Sequence, residues 1–127
     1  MLRLAGAVSG GLATWIVLVT LLNFGLRAAM PGYHAAEPMF AFTLSMMIGR
    51  LVIAVLTSLA AGAVVRAIAP GSQFAPWVVG IVLLALFIPV HVQIGARLPL
   101  WYHMAFLLTL APLIWVGARL GQRAVRD

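Results

Sequence analysis

The sequence contains no cysteine and no lysine, and among its 127 residues only Glu37 and Asp127 are acidic. Without cysteine there are no disulfides, thiolate metal ligands, iron–sulfur clusters or cysteine nucleophiles. Charge is scarce as well: 8% of residues are charged, against about a quarter in a soluble domain. With 65% hydrophobic residues, a water-soluble fold could not cover its own surface, so lipid is the expected solvent for most of the chain. Enzyme signatures are also missing: no nucleophile elbow, no phosphate loop, no pair of acids.

What is present are long apolar runs. At about 20 residues per crossing, the 127 residues predict a single domain, 1–127, of four spans with short loops. The expectation is an all-α integral membrane protein, an up-down bundle with both termini on the inner side. The first run, Leu4 to Leu26, exceeds the apolar core of about 7–15 residues of a signal peptide and reads as a true span. "RAAMPGYHAAEP" follows as a loop. The second run, Met39 to Ala69, is 31 residues, which requires tilt, an interfacial first turn, or a bend at Gly49. "PGSQFAP" breaks the chain before the third span, Trp77 to Gly95, and "ARLPL" turns it into the fourth, Trp101 to Leu120. Pro89 and Pro112 fall inside spans and predict kinks.

All eight basic residues are arginines, for a formal charge of +6. In a soluble protein this excess would suggest nucleic acid; here the arginines lie mostly at the ends of apolar runs, where they encode topology, and no nucleic-acid partner is expected. Arg3, Arg66, Arg119, Arg123 and Arg126 fall on one side, Arg27 and Arg97 on the other. That bias predicts cytoplasmic termini and a multi-pass protein of a bacterial inner membrane.

The outer side then collects the polar chemistry. Asn23, Tyr33, His34, Glu37, Arg50, His91, Gln93 and His103 all fall in the outer loops or the outer ends of spans. His34 and His103 also fit an interfacial belt, as Trp101 and Tyr102 do. Arg50 is the sharpest residue, because an arginine inside a span costs about 2.5–3.5 kcal/mol on insertion scales. Glu37 is thirteen residues away, about 20 Å along a continuous helix, so neutral partners such as Asn23, Thr20 or Thr43, or an anionic ligand, are expected instead. No span contains Asp or Glu, which excludes transport coupled through a membrane carboxylate.

Three functions compete. Arg50, His91, Asn23, Gln93 and His103 suit a pocket for a small anionic or lipid-like ligand, bound or conducted by an oligomer of this chain. His34, Glu37, His91 and His103 have the residue types of a divalent metal site without its spacing. His91 and His103 could ligate haem b, although one short turn separates them. The expectation is the first, with no cofactor. An accessory subunit docked on a larger membrane protein is the alternative. The small-residue series Gly6, Gly10 and Ala54, Ser58, Gly62 predicts close packing of the first and second spans near the inner side.

Overall fold

A computed structural model describes residues 1–127, apart from the Val125 side chain. Among the described residues the regular structure is entirely helical: α1 (Leu2–Ala29), α2 (Tyr33–Ala36), a 3-10 turn (Glu37–Met39), α3 (Leu44–Ile68), α4 (Ala75–Gln93) and α5 (Leu100–Arg126). The helices α1, α3, α4 and α5 are long and apolar enough to cross a bilayer, which fits a small multi-pass membrane protein.

The helix bounds differ from the apolar runs in an instructive way. α3 begins at Leu44, because the Thr43 side chain accepts the Met46 N–H and caps it. The stretch ahead of it leaves the helix, with Phe40 in the left-handed region at φ 51°. Gly49 lies within the continuous α3 helix, and a Cβ there would sit 3.1 Å from Leu26 Cδ1. α5 in turn runs on through the polar tail to Arg126. Both internal prolines, Pro89 and Pro112, are contained within continuous helices.

The helices form a ring in the order α1, α3, α5, α4, with α3 and α4 barely touching across it. Arg50 bonds Tyr102 and Arg66 bonds Ala118, both 52 residues apart, so α3 and α5 run parallel. α1 opposes α3, with Leu26 near Gly49 and Val65 near Gly11. α4 opposes α5, with Trp77 near Trp115 and His91 on His103. The expected packing of the first two spans holds for Gly10, which faces Ile68 and Val64 of α3; Gly11 beside it meets Val65 of α3 and Val79 of α4. Gly62 does otherwise: it lies against the backbone of α5, where a Cβ would be 1.9 Å from the Ile114 carbonyl oxygen. Reciprocally, a Cβ on Gly117 would be 2.1 Å from the Leu59 oxygen. The small residues of α3 therefore serve two neighbours, one on each side.

Between these contacts Trp15, Phe87 and Phe106 make an aromatic cluster, with centroid distances of 5.0, 5.3 and 6.4 Å. Trp15 is almost wholly buried, and its indole N–H donates to Ser58 Oγ at 3.1 Å. Lone hydroxyls at Thr57, Thr20 and Thr109 bond back to carbonyls of their own helices, the usual solution where water is excluded.

Candidate functional site

The aromatic cluster floors a cavity of about 260 Å³ at the end of the bundle that carries the histidines. Its polar wall is formed by Asn23, Arg50, His91 and Tyr102, and its remaining lining is apolar or aromatic. A second cavity, of about 380 Å³, shares Val19, Asn23 and Arg50 with the first and reaches Arg27 and Glu37. Arg50 thus stands where the two meet.

Local sequence places each polar group. Pro31 and Gly32 make a type II turn: Gly32 has φ 78° and ψ −4°, and the Tyr33 N–H donates to the Met30 carbonyl at 3.2 Å. That reversal sends Tyr33 back into the bundle, where it is 0% exposed. Its hydroxyl accepts from Arg50 Nη1 at 2.6 Å and donates to Asn23 Oδ1 at 3.3 Å. The Asn23 amide in turn donates to the Val19 carbonyl at 2.8 Å. On the other side, Arg50 Nε donates to the Tyr102 hydroxyl at 3.0 Å, and Phe42 lies 4.8 Å beneath the guanidinium. Burial holds the Tyr33 phenol above its ordinary 10.0 against the opposing pull of Arg50, so the Tyr33 contact is made by a neutral hydroxyl.

Arg50 is therefore positioned by two phenol oxygens, and no carboxylate among the described residues bonds it. A guanidinium also has more N–H donors than these two bonds use. Tyr102 accepts from Arg50, which leaves its own hydroxyl proton available to another acceptor. The expectation that Glu37 lies far away is corrected by the loop: the chain folds back, so that Glu37 and Arg50 line one cavity. Glu37 is nonetheless engaged elsewhere, accepting from Arg27 Nε at 2.5 Å and Arg27 Nη2 at 2.9 Å. Arg27 and Glu37 neutralise each other; the positive charges left at this end are Arg50, in the cavity wall, and Arg97, in the α4–α5 turn, whose guanidinium lies 5.8 Å from the Phe40 ring.

The Arg27 bonds hold the Glu37 carboxyl below its ordinary 4.5. A depressed carboxyl contributes stability above its unfolded value and loses it as pH falls through its folded value. Glu37→Gln is accordingly expected to lower the melting temperature at neutral pH, with a deficit that begins to shrink as pH falls below 4.5. Thermal unfolding in micelles from pH 7 to pH 3 checks this; a deficit as large at pH 3 as at pH 7 would contradict it.

His91 and His103 meet directly, Nδ1 to Nδ1 at 2.6 Å, with rings at 84°. The Gly95 carbonyl can only accept, so in a neutral pair the His103 Nε2 facing it at 3.4 Å bears a proton. The His103 Nδ1 is then the acceptor, the His91 Nδ1 the donor, and His91 Nε2 keeps a lone pair. His91 also stacks on Phe106 at 4.8 Å. Since their Nδ1 atoms touch, the two rings leave no space for a macrocycle between them, which removes the geometry of haem ligation within one chain.

Of the residues expected to bind a ligand, Asn23, Arg50 and His91 line the cavity together. His103 supports His91 from behind. Gln93 is exposed: two residues from His91 it lies about 200° around the helix. The four residues considered for a metal do not converge. His34 is 85% exposed and 3.8 Å from Glu37, away from the histidine pair, and no three metal-ligating side chains gather among the described residues. Sequence reasoning missed Tyr33 and Tyr102 as partners of Arg50 and Trp15 as the cavity floor. The Pro31–Gly32 turn was the available sign for Tyr33. Comparison with family models, curated proteins and solved structures finds no match.

Proposed function

We propose that this protein is an inner-membrane protein that binds a small amphiphilic anion at the histidine end of its bundle. The observation that carries the reading is Arg50: a charged donor set held rigidly by Tyr33 and Tyr102, uncompensated by an acid, in the wall of a cavity floored by Trp15, Phe87 and Phe106. A few convergent polar groups over an apolar floor are the usual composition of a small-molecule site. Arg50 and the Tyr102 hydroxyl would take the anionic head, His91 Nε2 would accept from any hydroxyl beside it, and the aromatic floor would take the apolar body.

Decanoate and decanol share an apolar body and differ in charge, so they serve as probes. Native mass spectrometry from micelles is expected to retain a decanoate adduct at least tenfold more strongly than a decanol adduct, about 1.4 kcal/mol of discrimination. Equal retention would leave a greasy crevice with no anion preference and defeat the proposal. The same spectra report how many copies of the chain travel together, and an oligomer of this chain is part of the reading.

Orientation is the second element of the proposal: the arginine-rich end faces the cytoplasm and the cavity opens outward, in keeping with the arginine bias. The chain has no cysteine, so single cysteines can report sidedness without background. Gln73→Cys, in the exposed α3–α4 turn, should resist an impermeant maleimide in intact cells, whereas Ala96→Cys should react. The opposite pattern reverses the topology.

A further inference from the structure

At the opposite end of the bundle a second arginine is buried more deeply than Arg50. Arg66 is 3% exposed; its Nε donates to the Ala118 carbonyl at 3.3 Å and its Nη1 to the Pro70 carbonyl at 2.7 Å. Its Nη2 has no partner at all. A buried, charged donor left unpaired is among the costlier arrangements in a protein. No carboxylate answers it: among the described residues the acid pairs are those of Glu37, at the far end.

Arg66 forms part of the wall of a cavity of about 440 Å³, with Ala67, Pro70, Gly71, Gln122 and Arg126. Immediately beside it a cleft of about 290 Å³ is lined by Gln73, Arg119, Gln122, Arg123 and Arg126. Gln122 and Arg126 belong to both. These paired basic clefts also lie at a recognisable depth. The Arg119 guanidinium covers the Trp115 ring at 4.5 Å, and Trp115 rests on Trp77 at 6.4 Å, an indole pair of the kind that marks headgroup level. Ile68, Phe74 and Leu120, next in sequence to cleft residues, are exposed apolar side chains on which acyl chains can lie.

We propose that the two clefts hold an anionic phospholipid, with one phosphodiester at Arg66 and Arg126 and a second at Arg119 and Arg123. A guanidinium fork matches phosphate oxygens two at a time and keeps its charge at any physiological pH. A phosphodiester at the first cleft places negative charge beside Arg66, whose own charge no carboxylate offsets. The shared Gln122 amide and Arg126 bridge the two positions, which favours a lipid with two phosphates over a lipid with one. A zwitterionic lipid brings its own cation into a field of four arginines and is disfavoured. This inference is independent of the cavity at Arg50.

Native mass spectrometry with added cardiolipin, phosphatidylglycerol, phosphatidylcholine or inorganic phosphate alone tests it. Cardiolipin adducts should exceed phosphatidylcholine adducts at least tenfold, with phosphatidylglycerol between them, and inorganic phosphate should not displace them. Arg66→Gln should remove the preference, and where that variant fails to fold, the exposed Arg126→Gln and Arg119→Gln carry the test. Each should weaken cardiolipin retention about tenfold, the scale of one charged hydrogen bond, and leave decanoate retention unchanged. Equal retention of phosphatidylcholine, or no effect of either exposed variant, overturns the proposal. Displacement by inorganic phosphate alone assigns the clefts to a free anion and overturns the lipid assignment. Equal retention of phosphatidylglycerol and cardiolipin overturns the two-phosphate arrangement.

Discussion

Gly62→Ala is expected to destabilise the bundle by about 3 kcal/mol, the upper part of the range for overpacking. The added methyl would lie 1.9 Å from the Ile114 oxygen, 2.7 Å from the Ala118 nitrogen and 2.9 Å from the Ile114 carbonyl carbon. All three are backbone atoms of α5, so no rotamer can clear them and the helices must separate. Separation would act along the whole parallel contact, including Arg50 on Tyr102 and Arg66 on Ala118. Two other glycines serve as controls. At Gly10 the nearest obstacle, 2.7 Å away, is the mobile tip of Ile68, and at Gly6 the nearest atom is 3.8 Å away. Alanine within a helix gains about 0.5–1 kcal/mol over glycine, so Gly6→Ala should stabilise slightly and Gly10→Ala should be near neutral. Thermal or denaturant unfolding in micelles ranks the three. If Gly62→Ala proves no worse than Gly10→Ala, the contact between α3 and α5 is looser than described.

Arg50→Gln should abolish the preference for decanoate over decanol, a loss of about tenfold to a hundredfold for one charged donor set. The chain should still fold: glutamine relieves the half-buried charge, and Tyr33 retains Asn23 as a partner. Arg50→Lys is the sharper comparison, since it keeps the charge. A lysine offers a point charge in place of a planar fork, and it would not reach both phenols with the present geometry. It should keep part of the preference while losing the fixed orientation. A variant Arg50→Gln that fails to assemble would make Arg50 a structural strut, and the binding proposal would lose its main support.

Much of the architecture was legible in the sequence, and the exceptions have physical causes. Four apolar runs separated by Pro and Gly clusters give the four helices, because lipid leaves the backbone few other solutions. Hydropathy does not distinguish an apolar helix from an apolar loop, so the stretch ahead of Leu44 looked like span; the Thr43 cap was the better signal. The gathering of Asn23, Arg50 and His91 at one end followed from counting residues along each span. Their partners did not, because Tyr33 and Tyr102 reach Arg50 across 17 and 52 residues of chain, and an interfacial tyrosine reads equally well as a belt residue. Gln93 is exposed, about 200° around α4 from the buried His91, a separation that helical geometry alone sets. The order of helices in the ring, with α3 beside α5, follows from close contacts at Gly62 and Gly117 that no single run reveals.

The most direct test of the proposed anion site observes the Arg50 guanidinium itself. With ¹⁵N-arginine labelling, each of the eight arginines contributes one Nε resonance, and the Arg50 signal is identified by its loss in Arg50→Lys. Titration with decanoate should move the Arg50 Nε resonance in a saturable way, while decanol at equal concentration leaves it in place. A resonance that stays fixed under decanoate, with shifts only at exposed arginines such as Arg123 and Arg126, would contradict the account.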